Sequence, residues 1–416
     1  MIFVKSSTCV VSNFKHYFNI VAIIGLGLIL TTCHQKDILL FQPVGITSQK
    51  SLIDTAFNNI FDKHMQDKLM SSACPGVAVL VMKNDQVIFE KSYGIRSTKT
   101  KDSITNESIF RLGSVSKGFA GILASILVDK NIIGLDDPLV LYIPELKLKA
   151  KSQDQILRVK HVLTHSTGLT EHSYSNLVDD NRNMETIISY LNRLTPRDST
   201  GKSYAYQNAA YGLIEKVVES ATGMKFEHAL DYYLFSPLEM CSTTCTYQGL
   251  KYADNGCIGH KYFGSKRGYV PIEVKPHYYN VISAGGINAP LTDMGKWLQA
   301  IMGYRPDVIS PNARKIAFSP YINTSSDDRY FNSWPGIKDT HYGLGWRLVN
   351  TKNNTLAYHG GLVNGFRTEI AIDKEKDLGV VFLFNSICGY SSKAVHEFYE
   401  LWNTYQAKNE MNTDIL

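Results

Sequence analysis

No internal repeat and no low-complexity tract interrupts the 416 residues, which excludes solenoid arrays and disorder driven by composition. A strong charge of either sign is also missing: 43 Lys and Arg face 38 Asp and Glu, a net +5. Lys5 and Lys15 supply two of those charges from an acid-free N-terminal segment, so the remainder carries 41 against 38, or +3. That balance gives no case for nucleic acid as a partner, and basic residues are not interleaved with aromatics as in single-strand binders. Cysteine is sparse, seven in all, with no regular Cys-x-x-Cys pair, so neither a zinc site nor another cofactor is expected. Cys241, Cys245 and Cys257 are close enough for one disulfide in an oxidising compartment, or stay as buried thiols. What the chain does have is 44% apolar residues, enough for a substantial core. Its length allows two or three domains or one large domain with an insertion.

The N-terminus has the pattern of an export signal. Lys5 and Lys15 precede an apolar run from Ile20 to Leu30, which is short for a membrane span. Leu30-Thr31-Thr32-Cys33 follows and is similar to a bacterial lipoprotein processing site, with Thr32 where Gly, Ala or Ser is usual. The predicted location is therefore exported and periplasmic, with membrane attachment through a lipidated Cys33. The rival readings are an uncleaved anchor or cleavage elsewhere by an ordinary signal peptidase. Residues 1–33 are assigned to the signal, 34–50 to a tether, 51–408 to one domain and 409–416 to a tail.

The domain is organised around Leu112-Gly113-Ser114-Val115-Ser116-Lys117-Gly118-Phe119. Ile122, Leu123, Ile126 and Leu127 continue it at helical spacing, which predicts a helix opened by Ser114. Positions three apart share a helix face, so the Ser114 hydroxyl and the Lys117 amine can meet. Free N–H groups and the positive dipole end in the first turn favour a developing anion there. Ser12…Lys15 and Ser199…Lys202 also match Ser-x-x-Lys. The first lies in the leader and the second in a turn-like run, so only Ser114 heads a long apolar helix.

Along the chain, Ile53, Phe57, Ile60, Phe61, Met65 and Leu69 mark an amphipathic helix. Val77–Met82 and Val87–Gly94 then read as paired strands about an Asn84-Asp85 turn. A mostly helical stretch fills about 150–302. Within it Ala210, Leu213, Ile214, Val217, Val218 and Ala221 form a stripe, with Asn208 near the N-cap and Gly223 past the end. Thr292 caps another helix, carrying Trp297, Leu298, Ile301 and Met302. Strand character returns at Tyr342–Val349, Thr355–Tyr358, Phe366–Ile372 and Leu378–Phe384, before a final helix over Lys393–Tyr405. Strands at both ends with helices between predict an α+β domain whose middle is a helical insertion.

An activated serine needs a proton acceptor, an oxyanion site and a means of holding substrate. Lys117 is the nearest amine. Tyr206-Gln207-Asn208 offers a phenol for proton transfer and an amide for a substrate contact at the mouth of the Ala210–Ala221 helix; Tyr174-Ser175-Asn176 is the alternative. His359-Gly360-Gly361-Leu362, read at a strand end, adds two glycines that let a substrate backbone lie close. Leu362 N–H and Ser114 N–H are candidates for an oxyanion hole, and His359 for keeping the site electropositive or relaying a proton. Lys266-Arg267-Gly268 is a rival in a polar turn.

These elements have a familiar order. Ser114/Lys117, Tyr206/Asn208 and His359/Gly361 match the Ser-x-x-Lys, Tyr-x-Asn and Lys- or His-x-Gly motifs of the serine β-lactamase-like and penicillin-binding-protein family. The chain resembles its branch of class C β-lactamases, D-alanyl-D-alanine carboxypeptidases and related esterases. The likeness runs from about Pro75 to Asn385 and includes Leu135-Asp136-Asp137-Pro138, His161–Leu169, Ser283-Ala284-Gly285-Gly286 and Tyr342-Gly343-Leu344-Gly345-Trp346. The resemblance implies a five-stranded antiparallel sheet flanked by helices beside a helical region, with the site between them. It implies a serine hydrolase forming an acyl-enzyme at Ser114, on D-amino-acid peptides, β-lactams or esters. His359 in place of Lys is more like the carboxypeptidase and esterase members. Catalysis would rest on Ser114, Lys117 and Tyr206, and substrate binding on Asn208, His359, Gly361 and Leu362. The alternatives are an α/β-hydrolase esterase, which lacks its first glycine at Ser114-Val115-Ser116-Lys117-Gly118, and an exported non-catalytic binding protein that keeps the fold.

Overall fold

A computed structural model describes residues 55–149, 156–325 and 330–413. The segments expected as a leader and a tether, residues 1–33 and 34–50, lie outside the described residues. Helix α1 (Thr55–Ser72) feeds strand β1 (Gly76–Lys83), which turns back as β2 (Gln86–Gly94). The late strands are β3 (Ile322–Asn323), β4 (Ile337–Tyr342), β5 (Arg347–Thr351), β6 (Thr355–Val363), β7 (Phe366–Asp373) and β8 (Leu378–Phe384). They form one sheet in the order β2-β1-β8-β7-β6-β5-β4-β3, antiparallel at every pairing.

The sheet thus has eight strands, where the resemblance implied five. The run expected as one strand over Tyr342–Val349 breaks at the turn between Tyr342 and Arg347, giving β4 and β5, and β3 adds a short edge. Thr355–Tyr358 is longer than expected because β7 supplies partners out to Val363, so His359 sits inside β6 rather than at its end. The apolar run of β1 is buried on both sides. Val77, Val79 and Val81 face one core and Ala78, Leu80 and Met82 the other.

The first core is covered by α1 and by the final helix α6 (Ala394–Thr413). Aromatic rings dominate it: Phe57 meets Trp402 at 4.7 Å, and Phe61 meets Phe89 at 4.8 Å and Phe398 at 5.2 Å. The second core is covered by α2 (Ser116–Asp129) and α5 (Leu291–Met302) and continues into the helical region. There the stripe from Asn208 is split into α3 (Asn208–Tyr211) and α4 (Leu213–Thr222), which ends on Gly223 at φ +70°. Asn208 is the first helical residue rather than the cap. Thr292 likewise falls within the first turn of α5, whose N-cap is Pro290. Among the described residues no disulfide links Cys241, Cys245 or Cys257; the last two are buried thiols.

Candidate active site

Ser114 does not open α2. It lies in a tight 3₁₀ turn, Gly113–Val115, that runs into the helix, which begins at Ser116. Gly113 adopts φ +53°, and a Cβ there would come within 2.9 Å of Leu362 N. A Cβ on Gly361 would come within 2.0 Å of Leu112 O. Thr368 Oγ1 donates to that same carbonyl at 2.6 Å. The two glycines therefore let the serine turn lie directly against β6, which brings Ser114 beside residues some 250 positions later in the chain.

Lys117 follows one helical turn on and is fully buried. Its Nζ lies 3.3 Å from Ser114 Oγ, 2.7 Å from Asn208 Oδ1 and 2.8 Å from Ala284 O. Burial, with Arg347 as a nearby cation, holds the amine well below the ordinary lysine range and favours its neutral form. Tyr206 donates its phenol proton to Ser114 Oγ at 2.9 Å. Burial pushes that phenol's pKa up, against the opposing pull of Arg347 and of the Ser114 contact. Asn208 offers its Nδ2 to the Tyr278 hydroxyl at 3.0 Å, so both ends of the amide are occupied.

His359 is 1% exposed. Its Nδ1 donates to Gly360 O at 2.9 Å, which leaves Nε2 to accept from the Tyr342 hydroxyl at 3.0 Å. Both nitrogens of a neutral imidazole are thereby satisfied. Burial first, then Arg347 and Lys117, keep its pKa well below 6.5. Burial thus favours a neutral, hydrogen-bonding His359 over the electropositive role, which was one of the two expected of it beside relaying a proton.

Ser114, Tyr206, Asn208, His359 and Leu362 line one cavity of about 600 Å³, with Lys117 buried behind Ser114. The rivals lie elsewhere. Tyr174 stacks edge-on against Tyr190, and Lys266-Arg267-Gly268 is an exposed turn. Lys202 is exposed and pairs with Asp198, and Ser12…Lys15 lies outside the described residues.

Sequence reading missed Arg347, although it directly follows the Tyr342–Trp346 motif. It lines the cavity at 6% exposure, with its guanidinium 3.8 Å from the Tyr330 ring and 5.4 Å from the Tyr206 ring. Among the described residues its Nε has no hydrogen-bond partner and no carboxylate pairs with it. The other cavity arginine, Arg367, is neutralised by Glu369, which also accepts from Tyr358 at 2.5 Å. Among the described residues Arg347 thus has no carboxylate paired with it, although Glu171 lines the same cavity. No local periodicity could have revealed that, because it depends on which side chains the fold packs around it.

The family model described as Beta-lactamase matches residues 57–391. The chain is 26% identical over 330 residues to "Unguisins hydrolase ungD'" of Aspergillus campestris, an alignment covering 76% of this chain and 59% of that protein. It is 22% identical over 338 residues to "Protein flp" of Staphylococcus aureus, covering 80% of this chain and 64% of that one. The chain thus spans about three fifths of the length of these curated relatives. Among solved structures, the octameric penicillin-binding protein homologue from Pyrococcus abyssi matches with a TM-score of 0.71 at 21% identity, over 82% of this chain and 77% of that one.

Proposed function

The chain belongs to the beta-lactamase family, and on that premise we propose that it is a serine hydrolase in which Ser114 forms an acyl-enzyme. The observation that carries this reading is the setting of Lys117. A neutral amine has two protons and one lone pair, and Asn208 Oδ1 and Ala284 O accept the two protons. The lone pair is left for the Ser114 hydroxyl at 3.3 Å. Lys117 then removes the serine proton as Oγ attacks a carbonyl carbon. Tyr206, hydrogen-bonded to the same oxygen, is placed to protonate the leaving group when the carbonyl bond breaks. Water then attacks the acyl-enzyme and regenerates Ser114. Leu362 and Ser114 N–H groups are the proposed oxyanion donors, on β6 and the serine turn.

The substrate class follows from Arg347. Among the described residues no carboxylate pairs with this buried cation, and an anion entering the cavity would lower the cost of burying it. We infer that substrates carry a carboxylate near the scissile carbonyl, as C-terminal amino-acid residues and carboxylated lactams do and simple esters do not.

Two measurements test these readings separately. Ser114→Ala should abolish covalent labelling by a fluorophosphonate, and undiminished labelling at another serine would overturn the acyl-enzyme reading. For substrates differing only as carboxylate or carboxamide, wild type should favour the acid by about tenfold or more, the range of a charge-assisted hydrogen bond. Arg347→Met should erase that preference. Equal turnover of the pair by wild type would remove the anion site while leaving the serine chemistry intact.

A further inference from the structure

Cys74 and Cys388 are far apart in sequence, yet the sheet brings them together. Cys74 lies in the connection from α1 to β1, and Cys388 in the connection from β8 to α6. Because Val77 pairs with Phe384 and Asn385 N–H donates to Gly76 O at 3.3 Å, the start of β1 and the end of β8 are neighbours. The two connections leave the sheet side by side. Cys74 Sγ lies 3.1 Å from Ser386 Oγ. Cys388 is held in a tight turn, its N–H donating to Ser391 Oγ at 3.1 Å.

The two thiols are near enough that each is the largest influence on the other's ionisation, which pushes Cys74 up and draws Cys388 down. Ser72 and the amides of Tyr390 and Ser391 pull Cys388 in the same direction. The result is a thiolate-prone sulfur next to a second, half-buried thiol, the arrangement that favours disulfide formation over isolated oxidation. Cys245 and Cys257 differ: burial is the largest influence on each and raises both.

We propose that Cys74 and Cys388 form a reversible disulfide that clamps the α1–β1 connection to the β8–α6 connection. The oxidant is a small disulfide such as glutathione disulfide. Cys388, the thiolate-prone sulfur, attacks one oxidant sulfur, and the first oxidant sulfur leaves as a thiolate that takes a proton from solvent. Cys74 then gives up its proton and attacks the Cys388 sulfur, the mixed disulfide breaks, and the second oxidant sulfur departs as a thiol with that proton. Overall the protein loses two electrons and the Cys74 proton, which with one solvent proton turns one oxidant disulfide into two thiols. The ring closed by this bond spans residues 74–388, and long loops restrict the unfolded chain most.

The test uses the full chain, incubated with glutathione disulfide or with dithiothreitol, then alkylated, digested and mapped by mass spectrometry. Oxidation should lower the free-thiol count by two and yield one linked peptide pair, Cys74 with Cys388. The link should persist in Cys241→Ser and vanish in Cys74→Ser and in Cys388→Ser. The oxidised protein should melt on the order of 5 °C above the reduced one. Both cysteines alkylated after oxidation, glutathione retained on Cys388 with no cross-link, or a link through any other cysteine would each overturn the proposal. Because the readout is a wild-type cross-link, neither a folding defect in a variant nor the fate of the Ser114 chemistry bears on it.

Discussion

The two faces of the sheet bury different things. Against α1 and α6 the core is a cluster of Phe57, Phe61, Phe382, Phe398 and Trp402, with the buried acid Glu369 at its margin already paired with Arg367. On the Ser114 side, the same degree of burial is imposed on Lys117, Arg347, His359 and Glu215. Every apolar contact on the first face is favourable without further conditions. Each polar group on the second carries a cost unless it finds a partner or remains uncharged. Lys117 is held toward neutrality by burial, His359 satisfies both nitrogens, and the Glu215 carboxyl is pushed up to about 8 while Ser283 N and Oγ both donate to it at 2.7 Å. One face supplies stability, and the other spends some of it to hold reactive groups in unusual protonation states.

If that division is right, substitutions should separate stability from activity according to face. The largest effect is expected at Phe61, whose ring packs against Phe57, Phe89 and Phe398. Phe61→Ala should cost about 3–5 kcal/mol of unfolding free energy. At temperatures where it stays folded, its rate of fluorophosphonate labelling at Ser114 should equal that of wild type. A labelling defect proportional to the lost stability would break the comparison.

Next comes Tyr206, which belongs to the other face. Tyr206→Phe removes only the hydroxyl that reaches Ser114 Oγ, and turnover should fall by at least roughly 10²-fold. Its melting temperature should stay near that of wild type, since the ring keeps its packing against His165 at 4.3 Å. Tyr174→Phe should change neither quantity. Loss of stability without loss of turnover in Tyr206→Phe would assign that phenol to the core.

What could be read from sequence follows the same division. The aromatic face was visible because its residues recur at helical and strand periods: Phe57, Phe61 and Met65 in α1, and Val395, Phe398 and Trp402 in α6. The residues gathered around Ser114 were visible as motifs. Their electrical state was not, since burial of His359 depends on Tyr342 and that of Lys117 on Ala284, neither of which is local. The split of Tyr342–Val349 into two strands was hidden because both halves are strand-like and only a tertiary turn divides them. The pairing of Cys74 with Cys388 was hidden for the plainest reason: close cysteines in sequence drew attention to residues 241–257, while register in the sheet joins cysteines 314 positions apart.

The smallest effect is also the sharpest test of what burial does to Lys117. The folded state holds this amine below its ordinary value of 10.5, while the unfolded chain does not. Between the depressed value and 10.5 the unfolded state therefore binds the extra proton, so wild-type stability rises with pH through that window. Below it both states are protonated and the penalty is constant; above 10.5 neither is, and the penalty is gone. Lys117→Met lacks this titration, and Glu215, which titrates in the opposite sense, is common to both proteins and cancels in the difference. Wild type should gain on Lys117→Met by up to about 1.4 kcal/mol for each pH unit inside the window, measured by urea unfolding at several pH values. Labelling of Ser114 should meanwhile be lost in the variant at every pH. A stability difference that stays flat from neutrality to the lysine range would mean that Lys117 keeps its proton inside the fold, and an ammonium there has no lone pair with which to activate Ser114.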